Sequence, residues 1–387
     1  MQQPHATPIV YMPQLDALRV FAVAAVAYSH WVPDGPNLGV PWGSVGVQLF
    51  FVLSGFLITD ILIRARKDAT ATHGKTFALR SFYARRFLRI FPLYYAMIVL
   101  GCAFDISPFR ETLAWTTTYT VNFDVFLRQQ WNGSISHFWS LAVEEQFYLV
   151  WPLLVLCVPA ARLKAVVLVF IALAVAFRLG SALLLSDDQF IGVLPIAALD
   201  ALGGGALLAV LGRSTEGAKG LARRCLLIGA PCFFAFTTAV ALGHSNQIVA
   251  QLQHLSSLLV YVWLIHGASV GFSGVVGGVL CHPVLVSLGT VSYGLYVLHN
   301  LAWIPWNAIA RRVSFNALVG GPLEIVGLTA LTVGGAYLSW FAFERPINSL
   351  KRYFPYRPVI HSESASSSAH GPSIGSGPAE SPDLRGT

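Results

Sequence analysis

The chain has 387 residues, 55% of them hydrophobic and only 11% charged, and its mean hydropathy is +0.63. Soluble domains carry about 25% charged residues, so a soluble globular protein is excluded and a chain that crosses a bilayer many times is indicated. The net charge of +7 lies in blocks between apolar segments, which argues against nucleic acid as a partner.

Met1 to Gln14 has no basic start, and no small-residue cleavage site follows the first apolar run, so no secretory signal is expected. A short cytoplasmic N-terminal segment, residues 1–13, is the expectation. A membrane helix needs roughly 20 mostly apolar residues. Ten segments qualify: 15–32, 44–63, 87–104, 140–158, 164–186, 190–211, 224–243, 250–272, 284–304 and 321–343. Basic residues crowd the alternate loops: Arg64, Arg66, Lys67, Lys75, Arg80, Arg85, Arg86 and Arg89, then Arg162 and Lys164, then Arg213, Lys219, Arg223 and Arg224, and finally Arg345, Lys351, Arg352 and Arg357. The loops around 186–190 and 243–250 have none. The positive-inside rule then puts both termini in the cytoplasm, with Arg311 and Arg312 as the exception. The predicted fold is an all-α, multi-pass bundle of about ten transmembrane helices in the plasma (inner) membrane. The membrane domain is expected over 14–350. Residues 351–387, whose end is rich in Ser, Gly and Pro, should form a disordered cytoplasmic tail. The odd set of five cysteines has neither metal-ligand spacing nor a disulfide pattern, and no metal is expected.

Polar residues inside these segments carry the functional signal, because ionisable groups in a membrane are costly. In LDALRVFAVAAVAYSHW, Arg19 and His30 are eleven positions apart, on one helical face and ~16 Å apart along the axis. Either they line a cavity, or Arg19 snorkels to lipid phosphates and His30 rests at the interface. Ser54, in GVQLFFVLSGFLIT, reads as a packing residue, since no acid or histidine within a turn would activate it. In RSFYARRFLRIFPLYY, Arg85, Arg86 and Arg89 cluster within about a turn. They suit phosphate recognition, although charge alone favours anchoring to anionic lipid.

HFWSLAVEEQFYLVWP brings His137, Trp139, Glu144 and Glu145 to the start of the fourth span. Ser140 is a candidate helix cap there, with acids in the first turns favoured by the helix dipole. VSYGLYVLHN sets Ser292, Tyr296 and His299 on one stripe. His30, His137, the glutamate pair and His299 are thus expected to converge at similar depth from three spans. In FERPINSLKR, Glu344 and Arg345 read as a local charge pair, with Pro346 stopping the helix.

Taken in order, LDALRVFAVAAVAYSH, GVQLFFVLSGFLIT, FYARRFLRI, HFWSLAVEEQFYLVWP and the Ser292–His299 stretch resemble the membrane-bound acyltransferase family 3 over nearly all of residues 13–350. The resemblance implies O-acyl transfer from cytoplasmic acyl-CoA, most often acetyl-CoA, to a hydroxyl of a glycan, or of a macrolide or other small molecule. The second motif departs from the family pattern, with Gln48 where an acid is usual. On this reading His30 is the general base, Arg19 orients the donor or stabilises its developing charge, and Arg85, Arg86 and Arg89 hold the CoA phosphates. Glu144 or Glu145 orients a histidine or binds the acceptor, and Trp139, Ser292, Tyr296 and His299 complete the acceptor side. No appended soluble acyl-transfer domain is expected. Two rivals remain, a glycolipid transporter or flippase using buried Arg, His and Glu for proton coupling, and a haem-bearing electron carrier.

Overall fold

A computed structural model describes residues 11–33, 35–71, 74–184, 190–313 and 321–356. Every regular element among them is helical, and no strand occurs. The long helices are α1 (Pro13–Trp31), α2 (Trp42–Ala71) and α3 (Gly74–Ala103). After two short helices, α4 (Leu113–Thr117) and α5 (Val121–Arg128), come α6 (Phe138–Cys157), α7 (Ala160–Leu184), α8 (Pro195–Leu211), α9 (Glu216–Ala241) and α10 (Gln247–Val270). Short pieces then follow: α11 (Gly274–Leu280), α12 (Pro283–Thr290), α13 (Ser292–Leu298) and α14 (Trp303–Val313). The described part closes with α15 (Pro322–Ser339), a π turn at Trp340–Glu344 and α16 (Arg345–Ser349).

Seven helices among the described residues are long and apolar enough to cross a membrane, the last running Pro322–Tyr353. With the apolar composition, this describes a multi-pass membrane protein. Its surface bears the same signature: Leu227, Ile228 and Phe234 on α9 are exposed, whereas Asp200, His299 and Glu344 are buried. Polar groups inside and apolar groups outside is the arrangement that lipid as solvent requires.

The segment expected as a ninth span, 284–304, is not one helix. It is α12 and α13, a turn, and the start of α14. Gly289, within α12, lets this segment approach α1 closely, because a Cβ there would lie 2.3 Å from the Asp16 carbonyl oxygen. The chain thus presses against α1 before continuing. Pro346 does not end the last helix but sits in the first turn of α16, where its missing N–H is not needed. Residues 351–356, expected to open a disordered tail, pack on α3 instead. Arg85 donates to the Lys351 and Phe354 carbonyls, and Ser81 to the Pro355 carbonyl. The remainder of that expected tail, 357–387, and the first ten residues lie outside the described residues.

α2 is the central column, packing on α1, α3, α6, α8 and α10. Its crossing with α8 is very close. A Cβ on Gly205 would sit 1.9 Å from the Val52 carbonyl oxygen, and one on Gly55 would sit 1.9 Å from that of Leu202. Small residues let membrane helices approach in this way, where van der Waals packing replaces the hydrophobic drive. Gly205→Ala should therefore lower the thermal unfolding midpoint of the detergent-solubilised protein, at a cost of at least ~1–3 kcal/mol. Gly180→Ala, where no heavy atom lies within 4 Å of the added carbon, should leave it unchanged. A normal midpoint for Gly205→Ala would contradict the close crossing.

Candidate active site: two cavities and a shared wall

Two cavities occupy the bundle. The first, of about 460 Å³, is basic and is lined by Arg19, Arg86, Arg89 and Lys351 together with Asp16, Glu144 and Glu145. The second, of about 440 Å³, is lined by His30, His137, Trp131, Trp139, Arg178 and His254. Val47, Phe51 and Tyr296 line both, so these three side chains form the wall between them.

In the basic cavity Arg19 is paired with Asp16, one turn earlier on α1. Arg86 lies over the Tyr148 ring, 5.1 Å from its centroid. Arg89 donates to the Thr290 carbonyl at 3.0 Å, stacks on Trp340 at 5.2 Å, and approaches the Glu344 carboxylate at 3.9 Å. Glu344 thus pairs across the bundle with Arg89, not with its neighbour Arg345. Arg85 points elsewhere. It is held by the carbonyls of residues 351 and 354 and by the Tyr356 ring at 5.0 Å, and it does not line the cavity. The expected trio is therefore a pair, Arg86 and Arg89, joined by Arg19 and Lys351.

Ser54 does have an acid beside it, supplied by another helix. Its hydroxyl donates to Glu144 Oε1 at 2.7 Å and accepts from the Tyr148 phenol at 3.1 Å. A search confined to one helical turn could not find a partner 90 positions away. Glu145 Oε1 is buried without a hydrogen bond among the described residues. Ser140 does not cap α6, because the helix starts at Phe138 with no side-chain cap. Its hydroxyl donates to the His137 carbonyl at 3.0 Å and meets the Tyr296 hydroxyl at 2.5 Å. With its own proton so used, Ser140 accepts that of Tyr296.

The histidines do converge. His299 Nδ1 lies 2.6 Å from the Tyr296 carbonyl oxygen, and its Nε2 lies 2.8 Å from His30 Nδ1. The two rings stack with centroids 5.0 Å apart. A carbonyl oxygen can only accept, so His299 carries its proton on Nδ1, and as a neutral ring it accepts at Nε2. His30 must then donate from Nδ1, which leaves the His30 Nε2 lone pair unused by this chain of bonds. His137 packs against His299 at 4.6 Å, with Nε2 3.1 Å from the Val297 carbonyl.

The glutamates do not join this group. Glu144 and Glu145 lie seven and eight residues beyond His137 on α6, about 10–12 Å along the axis, and so fall on the basic side of the wall. Trp139 lines the histidine cavity, Ser292 the basic one and Tyr296 both. His299 lines neither and reaches the histidine cavity only through its contact with His30.

A polar cluster beside the histidine cavity was missed in the sequence. Asp200, fully buried on α8, receives His254 Nε2 at 3.0 Å and Arg178 Nε at 3.1 Å. The available signal was an arginine, an aspartate and a histidine within three apolar runs. Gln48 supports this cluster: its amide donates to the His254 carbonyl at 2.8 Å and accepts from Ser257. No group of three or more His, Cys, Asp or Glu side chains placed to hold a metal ion occurs among the described residues.

A family model described as an acyltransferase domain matches residues 12–341. A putative peptidoglycan O-acetyltransferase of Bacillus subtilis is 29% identical over 410 aligned positions, covering 91% of this chain and 57% of that protein. A peptidoglycan O-acetyltransferase of Listeria monocytogenes is 35% identical over 162, covering 37% of this chain and 24% of that protein. A putative O-acetyltransferase of Staphylococcus aureus is 32% identical over 160, covering 37% and 24%. The chain therefore aligns with between a quarter and little more than half of these relatives' lengths. No solved structure matches it.

The Arg89–Glu344 contact yields a prediction independent of any activity. Arg89→Met should destabilise the protein by less than the ~3–5 kcal/mol of a fully buried pair, because Glu344 is 2% exposed but Arg89 is 23% exposed. The double variant Arg89→Met/Glu344→Gln should recover part of that loss. Unfolding of the purified variants measures it, and additive losses would show that the two groups are not coupled.

Proposed function

The chain belongs to the membrane-bound acyltransferase family 3, and from that premise we propose that it transfers an acyl group, acetyl in the first instance, from cytoplasmic acyl-CoA to a carbohydrate hydroxyl. We read the bundle as ten crossings with both termini in the cytoplasm and the basic cavity opening there, in the plasma membrane. The placement of the basic loops supports that orientation. The names of the Listeria and Bacillus relatives make peptidoglycan the first acceptor to test.

The observation that carries the reading is the polarised relay Tyr296 carbonyl–His299–His30. It presents a proton acceptor to one cavity, while the cavity across the wall presents guanidinium groups. Arg86, Arg89, Arg19 and Lys351 suit the phosphates of CoA, which arginine binds with charge-assisted hydrogen bonds. The pantetheine arm then brings the thioester to the Val47–Phe51–Tyr296 wall. His30 Nε2 removes the acceptor hydroxyl proton as its oxygen attacks the thioester carbonyl. The new C–O bond forms, the C–S bond breaks, and the proton on His30 passes to the departing thiolate. No acyl-enzyme is required.

In this reading two residues take narrower roles. Arg19 is ~16 Å along α1 from His30, so it anchors the donor and does not stabilise charge at the reacting carbonyl. Glu144 and Glu145 sit with Arg86 in the donor cavity, so neither orients the catalytic histidine. Glu144 fixes Ser54 and Tyr148, which form part of the donor cavity wall.

With purified protein, labelled acetyl-CoA and a panel of glycans, His30→Ala should lower transfer by about 10²–10⁴-fold in protein that still folds, its unfolding midpoint lowered only modestly by the lost hydrogen bond to His299. Wild-type turnover in that variant would remove His30 as the base. Arg86→Ala and Arg89→Ala should each raise the KM for acetyl-CoA far more than that for the acceptor, whereas Arg85→Ala should change the donor KM little. Equal effects of all three arginines would mean that they serve only to anchor the protein.

A further inference from the structure

Arg178, Asp200 and His254 come from α7, α8 and α10, and the mechanism above uses none of them. Asp200 takes three contacts in a fully buried setting: hydrogen bonds from the Ala201 amide at 2.6 Å and from His254, and an ion pair with Arg178. Arg178 is tied further, donating to the Ala197 carbonyl at 2.8 Å and to Gln251 at 3.2 Å. His254 is gripped at its backbone by Gln48. An Arg–Asp pair serving packing alone would be closed off by apolar neighbours. Here the pair holds an imidazole at the edge of an open cavity, which both Arg178 and His254 line.

The tautomer follows from the partner. A carboxylate only accepts, so His254 carries a proton on Nε2, and in its neutral form Nδ1 is an acceptor. Among the described residues Nδ1 has no hydrogen-bond partner. Three imidazoles line the cavity, His30, His137 and His254. His137 is held at Nε2, and its Nδ1 is buried without a hydrogen-bond partner among the described residues. His30 and His254, by contrast, are each held through one nitrogen and leave the other open to the cavity. Asp200 cancels the charge of Arg178, the one formally charged side chain among the cavity's described lining residues. Two indoles, Trp131 and Trp139, line the same space. Hydrogen-bond acceptors, flat aromatic faces and no net charge suit a neutral, hydroxyl-rich ring. They do not suit an anion, which the basic cavity across the wall would take.

We propose that the Arg178–Asp200–His254 cluster is an acceptor subsite, in which His254 Nδ1 receives a hydroxyl of an uncharged sugar ring while another hydroxyl of the acceptor is held at His30. The proposal rests on the acyl-transfer reading and adds to it the residues that hold the acceptor and the requirement that the bound ring be uncharged. His254 is a positioning residue, and Asp200 and Arg178 fix its ring.

Two measurements test it. Binding of N-acetylglucosamine tetramer, maltotetraose and tetragalacturonate to the full chain in detergent is followed by saturation-transfer NMR and tryptophan fluorescence. At least one neutral tetramer should bind, the anionic one should bind at least tenfold more weakly, and His254→Phe should weaken the neutral ligand about tenfold, the order expected for one lost hydrogen bond. Preference for the anion, or no neutral ligand bound by the wild type, would overturn the proposal even if the variant failed to fold. In the transfer assay His254→Phe should raise the acceptor KM while leaving the acetyl-CoA KM and kcat within about twofold. A collapse of kcat at unchanged acceptor KM would make His254 a catalytic base and overturn the subsite, as would an unchanged acceptor KM. Failure of the wild type to use acetyl-CoA with any acceptor would instead defeat the acyl-transfer reading, while sugar binding would still judge the subsite.

Discussion

A polar group placed in hydrocarbon must find its partner within the protein, and the interior of this molecule is organised by that requirement. The relay from the Tyr296 carbonyl through His299 to His30 is its most consequential case. Each nitrogen is satisfied by the next, and the sequence of donors can run in only one direction because it starts at a carbonyl. The last ring nitrogen is thereby left as an acceptor facing a cavity. The same rule produces the Ser54–Glu144–Tyr148 chain and the Asp200 cluster, each joining side chains from different helices.

Such chains form only if the helices come close enough for short side chains to reach. Gly55 and Gly205 bring α2 and α8 into backbone contact, and Gly289 lets the broken ninth segment lie against α1. At the break itself, α13 ends at Leu298 and the chain turns after it, with the His299 imidazole buried against His30.

Charge is sorted between the cavities. Four cations face one, and of its lining acids Asp16 pairs with Arg19 and Glu144 with Ser54, while Glu145 Oε1 is buried without a hydrogen bond among the described residues. The other holds imidazoles, indoles and a neutralised Arg–Asp pair. The two environments thus differ in charge, and Tyr296 is common to both. Its phenol, hydrogen-bonded to Ser140 on α6, and its carbonyl, bonded to His299, tie the wall to the relay.

The helical, membrane-crossing character and most of the long helices could be read from the sequence, because an apolar run of ~20 residues has few alternatives in water or lipid. The candidate residues at positions 19, 30, 86, 89, 296 and 299 stood out for the same reason, as polar side chains in places where burial is costly. Their grouping was a different matter. Which arginine of Arg85, Arg86 and Arg89 faces a cavity depends on whether the 351–356 segment folds back on α3. Whether the glutamates meet the histidines depends on axial depth along α6. That Ser54 meets Glu144, and Asp200 meets His254, depends on how closely separate helices cross. Local composition determines which segments enter the membrane; contacts between segments distant in the chain decide which polar groups share a cavity, because each such group is satisfied by whichever partner the packing brings within hydrogen-bond reach.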